Sequence, residues 1–160
     1  MKTKFQIQGK KNRQSGGAFE RKVRDRLEKE GWVVSKWLNN VELGKNIPCP
    51  DNKEGCLVLH QSSSKLISAK HKFNPFMKVF AIGTGFPDFI CFRGSMLKGW
   101  EGLYYIQGVE CKSNGILSKE EKEKCKWLIE NNIFGKIIIV SKGDKRGEII
   151  YNEIIKEKVC

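Results

Sequence analysis

Phe19, Val23 and Leu27 recur every four residues and draw one apolar stripe along an otherwise charged segment, the pattern of a helix with a single buried face. Ser15 and the Gly-Gly pair after it open this helix, and Gly31 closes it after Glu30. Glu20 falls about 20° from Leu27 at 100° per residue, so an acid stands on the margin of the buried stripe. W-V-V-S-K-W (32–37) reads as a strand. From 39 to about 78 the periodicity weakens into an insertion with one hairpin of its own. Regular structure resumes with V-F-A-I (79–82), the turn G-T-G-F-P, a strand at 88–92 and a long strand at 103–112. Ser118 with Glu121 three residues later forms a capping box for a helix running to about Asn131. K-I-I-I-V (136–140) has no polar alternation, as expected of a strand buried on both faces. E-I-I-Y then begins a final strand or helix. The order predicts an α/β fold, a central mixed sheet with helices on its faces. Residues 1–14 read as a flexible basic arm, and 15–160 as one domain carrying the insertion.

Charge adds a partner. The 160 residues hold 30 Lys and Arg against 18 Asp and Glu, a net charge of +12, and half of that excess falls within residues 1–30. Clustered positive charge attracts polyanions, with nucleic acid first among them. No stretch approaches the roughly 18 apolar residues of a membrane span, and the N-terminus has no apolar core of a secretory signal. With six cysteines and no such signal, a reducing, intracellular setting is expected, with Cys91, Cys111 and Cys125 acting as small hydrophobes.

The candidate chemistry lies at strand ends. Alternate residues of a strand share a face, so Glu110 and Lys112 of G-V-E-C-K point the same way. They are either a surface ion pair or half of an active site. Asp88 follows Pro87 at the entrance to its strand. If the two strands are neighbours, Asp88, Glu110 and Lys112 converge. Two carboxylates meeting there suit a shared Mg²⁺, with the Cys111 carbonyl as a third oxygen and Mn²⁺ able to substitute. Lys112 would orient the attacking water and stabilise charge on a phosphate.

G-F-P-D-F-I followed by V-E-C-K resembles the PD-(D/E)xK nuclease superfamily. The segment G-G-A-F-E-R-K-V-R-D-R-L-E-K-E-G-W-V-V resembles the opening of archaeal Holliday junction resolvases and virus-type repair nucleases, and G-I-L-S-K-E-E-K-E-K-C-K-W-L-I the helix after their Glu-x-Lys strand. The resemblance implies a restriction-endonuclease-like core and a Mg²⁺-dependent DNA endonuclease, structure-selective in recombination or repair. It implies that Glu20 joins Asp88, Glu110 and Lys112 in the active site, that Glu20 can serve as a metal ligand, and that Thr84 supplies a loop hydroxyl. It also implies a homodimer. Lys10, Lys11 and Arg13 on the arm and a helix face of Arg21, Lys22 and Arg24 would bind DNA phosphates. The alternative is a non-catalytic nucleic-acid-binding module on the same fold, in which Glu20 merely pairs with Arg24. In the insertion, Cys49, Cys56, His60 and His71 have ligand chemistry but loose spacing, so structural zinc is not expected. K-H-K-F-N-P-F there suits a substrate-facing flap, or else Phe73 and Phe76 cover the core.

Overall fold

Strand pairing sorts these elements into one large sheet and two small ribbons. The computed structural model describes residues 4–44, 64–69, 72–74, 79–81 and 85–155. Strands β1 (Val33–Lys36), β6 (Phe89–Gly94), β7 (Tyr104–Cys111), β8 (Lys136–Lys142) and β9 (Ile149–Ile155) form a five-stranded mixed sheet in the order β1-β6-β7-β8-β9. β7 and β8 are parallel and joined through helix α2 (Lys119–Glu130); the other neighbours are antiparallel. β2 (Asn39–Glu42) pairs with β3 (Lys65–Ser68), and β4 (Lys72–Asn74) with β5 (Val79–Ala81). Val79–Ala81 of the V-F-A-I run, read as the return of regular structure, thus belong to a separate ribbon and not to the main sheet.

Helix α1 (Lys4–Lys29) covers one face of the sheet and α2 covers the other. Phe19, Val23 and Leu27 bury against Val34, Phe89, Cys91, Val109, Ile138 and Val140, so the four-residue stripe does what its spacing requires. On the opposite face Cys125, Leu128 and Ile129 of α2 pack with Phe86, Phe134, Ile137 and Ile139. β8 is flanked by strands on both sides and buried from Ile137 to Ser141, as its unbroken apolar run implies.

One boundary differs from expectation. α1 begins at Lys4, not at Ser15, so the stretch read as a flexible arm is helical through Lys10, Lys11 and Arg13. Lys, Gln and Arg are good helix formers, and their propensity carries the helix upstream of its apolar stripe. Gly16 and Gly17 therefore lie inside the helix and do not open it. At the other end, Ser118 caps α2 as foreseen: its hydroxyl accepts from the Glu121 N–H at 3.2 Å, and the Glu121 carboxylate accepts from the Ser118 N–H at 2.8 Å.

Candidate active site

Asp88 is placed by backbone contacts on every side of the turn that carries it. The Phe86 N–H donates to the Asn39 carbonyl at 2.9 Å, and the Trp37 N–H donates to the Asp88 carbonyl at 3.1 Å. Pro87 is fully buried, follows a cis peptide bond and packs against Gly108 of β7. Because β6 and β7 are antiparallel with Phe89 opposite Val109, Asp88 arrives beside Glu110 and Cys111. The Asp88 N–H donates to Glu110 Oε2 at 3.0 Å, and the Cys111 N–H donates to Asp88 Oδ2 at 2.9 Å. Each carboxylate is thus fixed through one oxygen by the other strand's backbone.

The remaining oxygens face lysines. Lys112 Nζ lies 3.3 Å from Glu110 Oε1 and donates to Glu121 Oε1 at 2.5 Å. Lys36, the last residue of β1, donates to Glu20 Oε2 at 2.5 Å and lies 3.8 Å from Asp88 Oδ1. Glu20, Lys36, Asp88, Glu110, Lys112 and Glu121 therefore form one continuous line across the end of the sheet. Its acids and lysines alternate except at Asp88 and Glu110, where two carboxylates meet without a cation between them.

That junction dominates the electrostatics. Burial pushes Asp88 above the usual carboxylate range, and the charge of Glu20 adds to this against the Cys111 N–H. Burial and then the charge of Asp88 push Glu110 up to about 8, outweighing Lys112. Glu110 is only 6% exposed. Burial alone would pull Lys112 down, but its hydrogen bond to Glu121 and the charge of Glu110 raise it. Burial alone would raise Glu121, yet Lys112 and the Ser118 N–H hold it below the ordinary range.

With all four carboxylates ionised against two ammonium groups the line would carry two negative charges, which one divalent cation would balance. Two raised carboxyl groups with converging oxygens are the hard-oxygen donor set that Mg²⁺ takes. A residue's N–H and C=O point to the same side of a strand, so the Cys111 carbonyl also looks toward Asp88, beyond the last β6 partner of β7. As the side chains stand, no group of three acidic, His or Cys side chains gathers closely enough to hold a metal among the described residues. Glu20 is held back from Asp88 by Lys36, and the donor set fits Mg²⁺ only through the pair Asp88 and Glu110 and their neighbouring carbonyl.

The fold brings Glu20, Asp88, Glu110, Cys111 and Lys112 to one sheet end. Thr84, Cys49, Cys56, His60, His71 and Phe76 lie outside the described residues, as does the side chain of Phe73. Cys111 enters through its backbone, since burial followed by the charges of Asp88 and Glu110 raises its thiol. Cys91 and Cys125 are buried, and burial pushes each thiol up to about 12. Arg21, Lys22 and Arg24 do not share a helix face: Lys22 and Arg24 stand about 160° apart at 100° per residue. Lys22 instead donates to the Gly147 carbonyl at 2.6 Å, while Arg24 pairs with Glu28 at 2.8 Å. Arg13 is exposed and lies about 20° from Glu20 on the wheel, two turns closer to the N-terminus.

Sequence reasoning misses Lys36, which no local pattern sets apart. It assigns Glu121 a capping role alone, whereas Glu121 caps with Oε2 and holds Lys112 with Oε1. It also misses the turn after β8. Lys142, Lys145 and Arg146 line a cleft with Lys22 and Phe19 beside α1, together with the acids Asp144 and Glu148. Among the described residues no helix is long and apolar enough to cross a membrane. Scans of this chain against protein-family models, curated proteins and solved structures return no match.

Proposed function

We propose that this chain is a Mg²⁺-dependent DNA endonuclease built on a restriction-endonuclease-like core, as its resemblance to the PD-(D/E)xK nucleases implies. One observation carries the reading: a buried carboxylate, Glu110, and a partly buried one, Asp88, meet at one end of the sheet with Lys112 beside them. Asp88, Glu110 and the Cys111 carbonyl would hold the metal, with Glu20 joining them once released from Lys36. When bound, Mg²⁺ supplies Lewis-acid stabilisation of charge on the scissile phosphate, and Mn²⁺ is expected to substitute. Lys112, oriented by Glu121, positions the attacking water and faces the phosphate oxygen on which charge develops. Lys10, Lys11 and Arg13 on α1 and the basic turn after β8 contact backbone phosphates with little sequence preference. A structure-selective resolvase acting as a homodimer is the form that the resemblance favours.

A second reading has its own support. Lys36 and Lys112 already bridge the acids, so the network can fold without metal as a non-catalytic DNA-binding module. Cleavage of labelled four-way junction, flap, nicked duplex and single strand with Mg²⁺ separates the two. Asp88→Asn and Lys112→Ala are each expected to lower the rate at least 10²-fold, the order of effect of losing one charge-stabilising group. Lys36→Met is expected to lower the Mg²⁺ concentration needed for half-maximal binding, because it removes a competing cation. Binding without cleavage of every substrate, in Mn²⁺ as well as Mg²⁺, would leave the binding module as the function.

A further inference from the structure

A second site lies toward the opposite end of β7, its residues Gln107 to Tyr104 about 10 to 20 Å from Glu110 at the rise of a strand. β7 outruns its parallel neighbour there: Tyr104, Tyr105 and Ile106 pair with β6, but β8 begins only opposite Gln107, at Lys136. The open edge leaves a cleft of about 670 Å³ lined by Trp32, Arg93, Tyr104, Tyr105, Gln107 and Lys136 among others. Gln107 is 2% exposed, yet its side-chain oxygen accepts no hydrogen bond. An orphaned buried acceptor costs about 1–3 kcal/mol, a cost that a ligand donor would remove. The rim is aromatic and cationic. Tyr104 and Tyr105 are more than half exposed. Arg93 lies 4.5 Å from the centre of the Trp32 ring and reaches the Glu30 carbonyl, while Lys136 pairs with Glu153 at 2.7 Å. No acid lines the cleft among the described residues.

We propose that this cleft binds one nucleotide unit. Its base stacks on Tyr105, which shares a strand face with Gln107 and Arg93, and donates a ring or exocyclic N–H to the Gln107 oxygen; its phosphate lies near Arg93 and Lys136. The volume falls within the range of small-ligand sites, and an apolar wall with one buried polar group suits a flat ring with an N–H. Base stacking on aromatic side chains is sequence-tolerant, and every base carries such a donor. The unit comes either from a free mononucleotide or from an unpaired residue of a DNA strand. The site is independent of the acid cluster.

The test uses the full chain in EDTA, so that the acid site takes no part. Binding of dAMP, dGMP, dCMP, dTMP, deoxyribose 5-phosphate and a single-stranded tetranucleotide is followed by tryptophan fluorescence and by NMR. The nucleotides are expected to bind and the sugar phosphate is not. Gln107→Leu is expected to weaken binding about tenfold while melting no lower than the parent, since it deletes the orphaned acceptor. Tyr105→Ala changes an exposed residue on the face of Gln107 and is expected to weaken binding without unfolding the chain. Mononucleotide and tetranucleotide binding equally tightly identifies the free nucleotide as ligand; a marked preference for the tetranucleotide identifies the strand. The proposal is overturned if no nucleotide binds, if deoxyribose 5-phosphate binds as well as dAMP, or if neither variant changes the affinity.

Discussion

Replacing Glu110 by Gln is expected to make the metal-free protein more stable at pH 8 while abolishing cleavage. Burial and the charge of Asp88 raise the Glu110 carboxyl from 4.5 to about 8 in the folded chain. A carboxyl raised on folding keeps a proton that the unfolded chain has already released. Stability therefore falls as pH rises from about 4.5 to about 8 and is flat beyond that window. Gln holds the neutral form at every pH and can still accept from the Asp88 N–H. Each tenfold change in proton affinity is worth about 1.4 kcal/mol, so the relief is on the order of a few kcal/mol at pH 8. That corresponds to a melting temperature roughly 5–10 °C higher for a chain of this length, with the difference closing as pH falls toward 4. Under the proposed function Mg²⁺ should reverse the ranking, because it would bind the charged carboxylate and stabilise the parent but not the variant. Thermal melts at pH 4, 6 and 8, with and without Mg²⁺, check this. A variant less stable than the parent at pH 8 would mean that Lys112 makes the Glu110 charge a net asset to folding.

The residues of this site differ in how visible they are before the fold is known. Asp88, Glu110 and Lys112 stand at strand ends flanked by short-range signals, a proline before the first and a two-residue period joining the others. Their convergence then needs only that β6 and β7 be neighbours, which they are. The Ser118–Glu121 cap is legible for the same reason, since it is written within four residues. Lys36 is different. Its role depends on β1 lying against β6, which brings one lysine to two acids sixteen and fifty-two residues away in the chain. No local pattern marks such a residue. The start of α1 is hidden for the opposite reason: upstream of Phe19 the helix buries no apolar side chain, so periodicity falls silent while propensity continues. The ribbon β4–β5 shows a third limit, because three apolar residues look alike in a core strand and in a side ribbon.

Two glycines far apart in sequence are expected to be as necessary for Asp88 as any charged neighbour. A Cβ on Gly85 would collide with the Trp37 carbonyl oxygen and stand 2.6 Å from that of Asn39. Both obstacles are backbone, so no side chain can swing aside. Gly85→Ala must push the turn off the β1–β2 connection and break the Phe86 N–H bond to Asn39. Forcing atoms into such a contact costs about 3 kcal/mol or more, and the displaced segment carries Asp88 three residues later. A Cβ on Gly108 would meet Pro87 Cγ at 2.8 Å, Ile137 Cγ1 at 3.2 Å and Phe134 Cδ2 at 3.4 Å. Here the first obstacle is a rigid ring adjoining Asp88, so Gly108→Ala shifts the acid at a smaller cost, about 1–3 kcal/mol. The expected results are a poorly folded Gly85→Ala protein and a folded Gly108→Ala protein with cleavage reduced at least 10²-fold, since about 1 Å of misplacement can cost that much. Melting curves separate the two effects, and DNA binding by Gly108→Ala should match the parent because the basic surfaces on α1 and after β8 do not touch Gly108. Full cleavage by Gly108→Ala would show that the reaction tolerates a displaced Asp88. The metal would then be held chiefly from the Glu110 side, and the Pro87–Gly108 contact would serve only to pack the sheet.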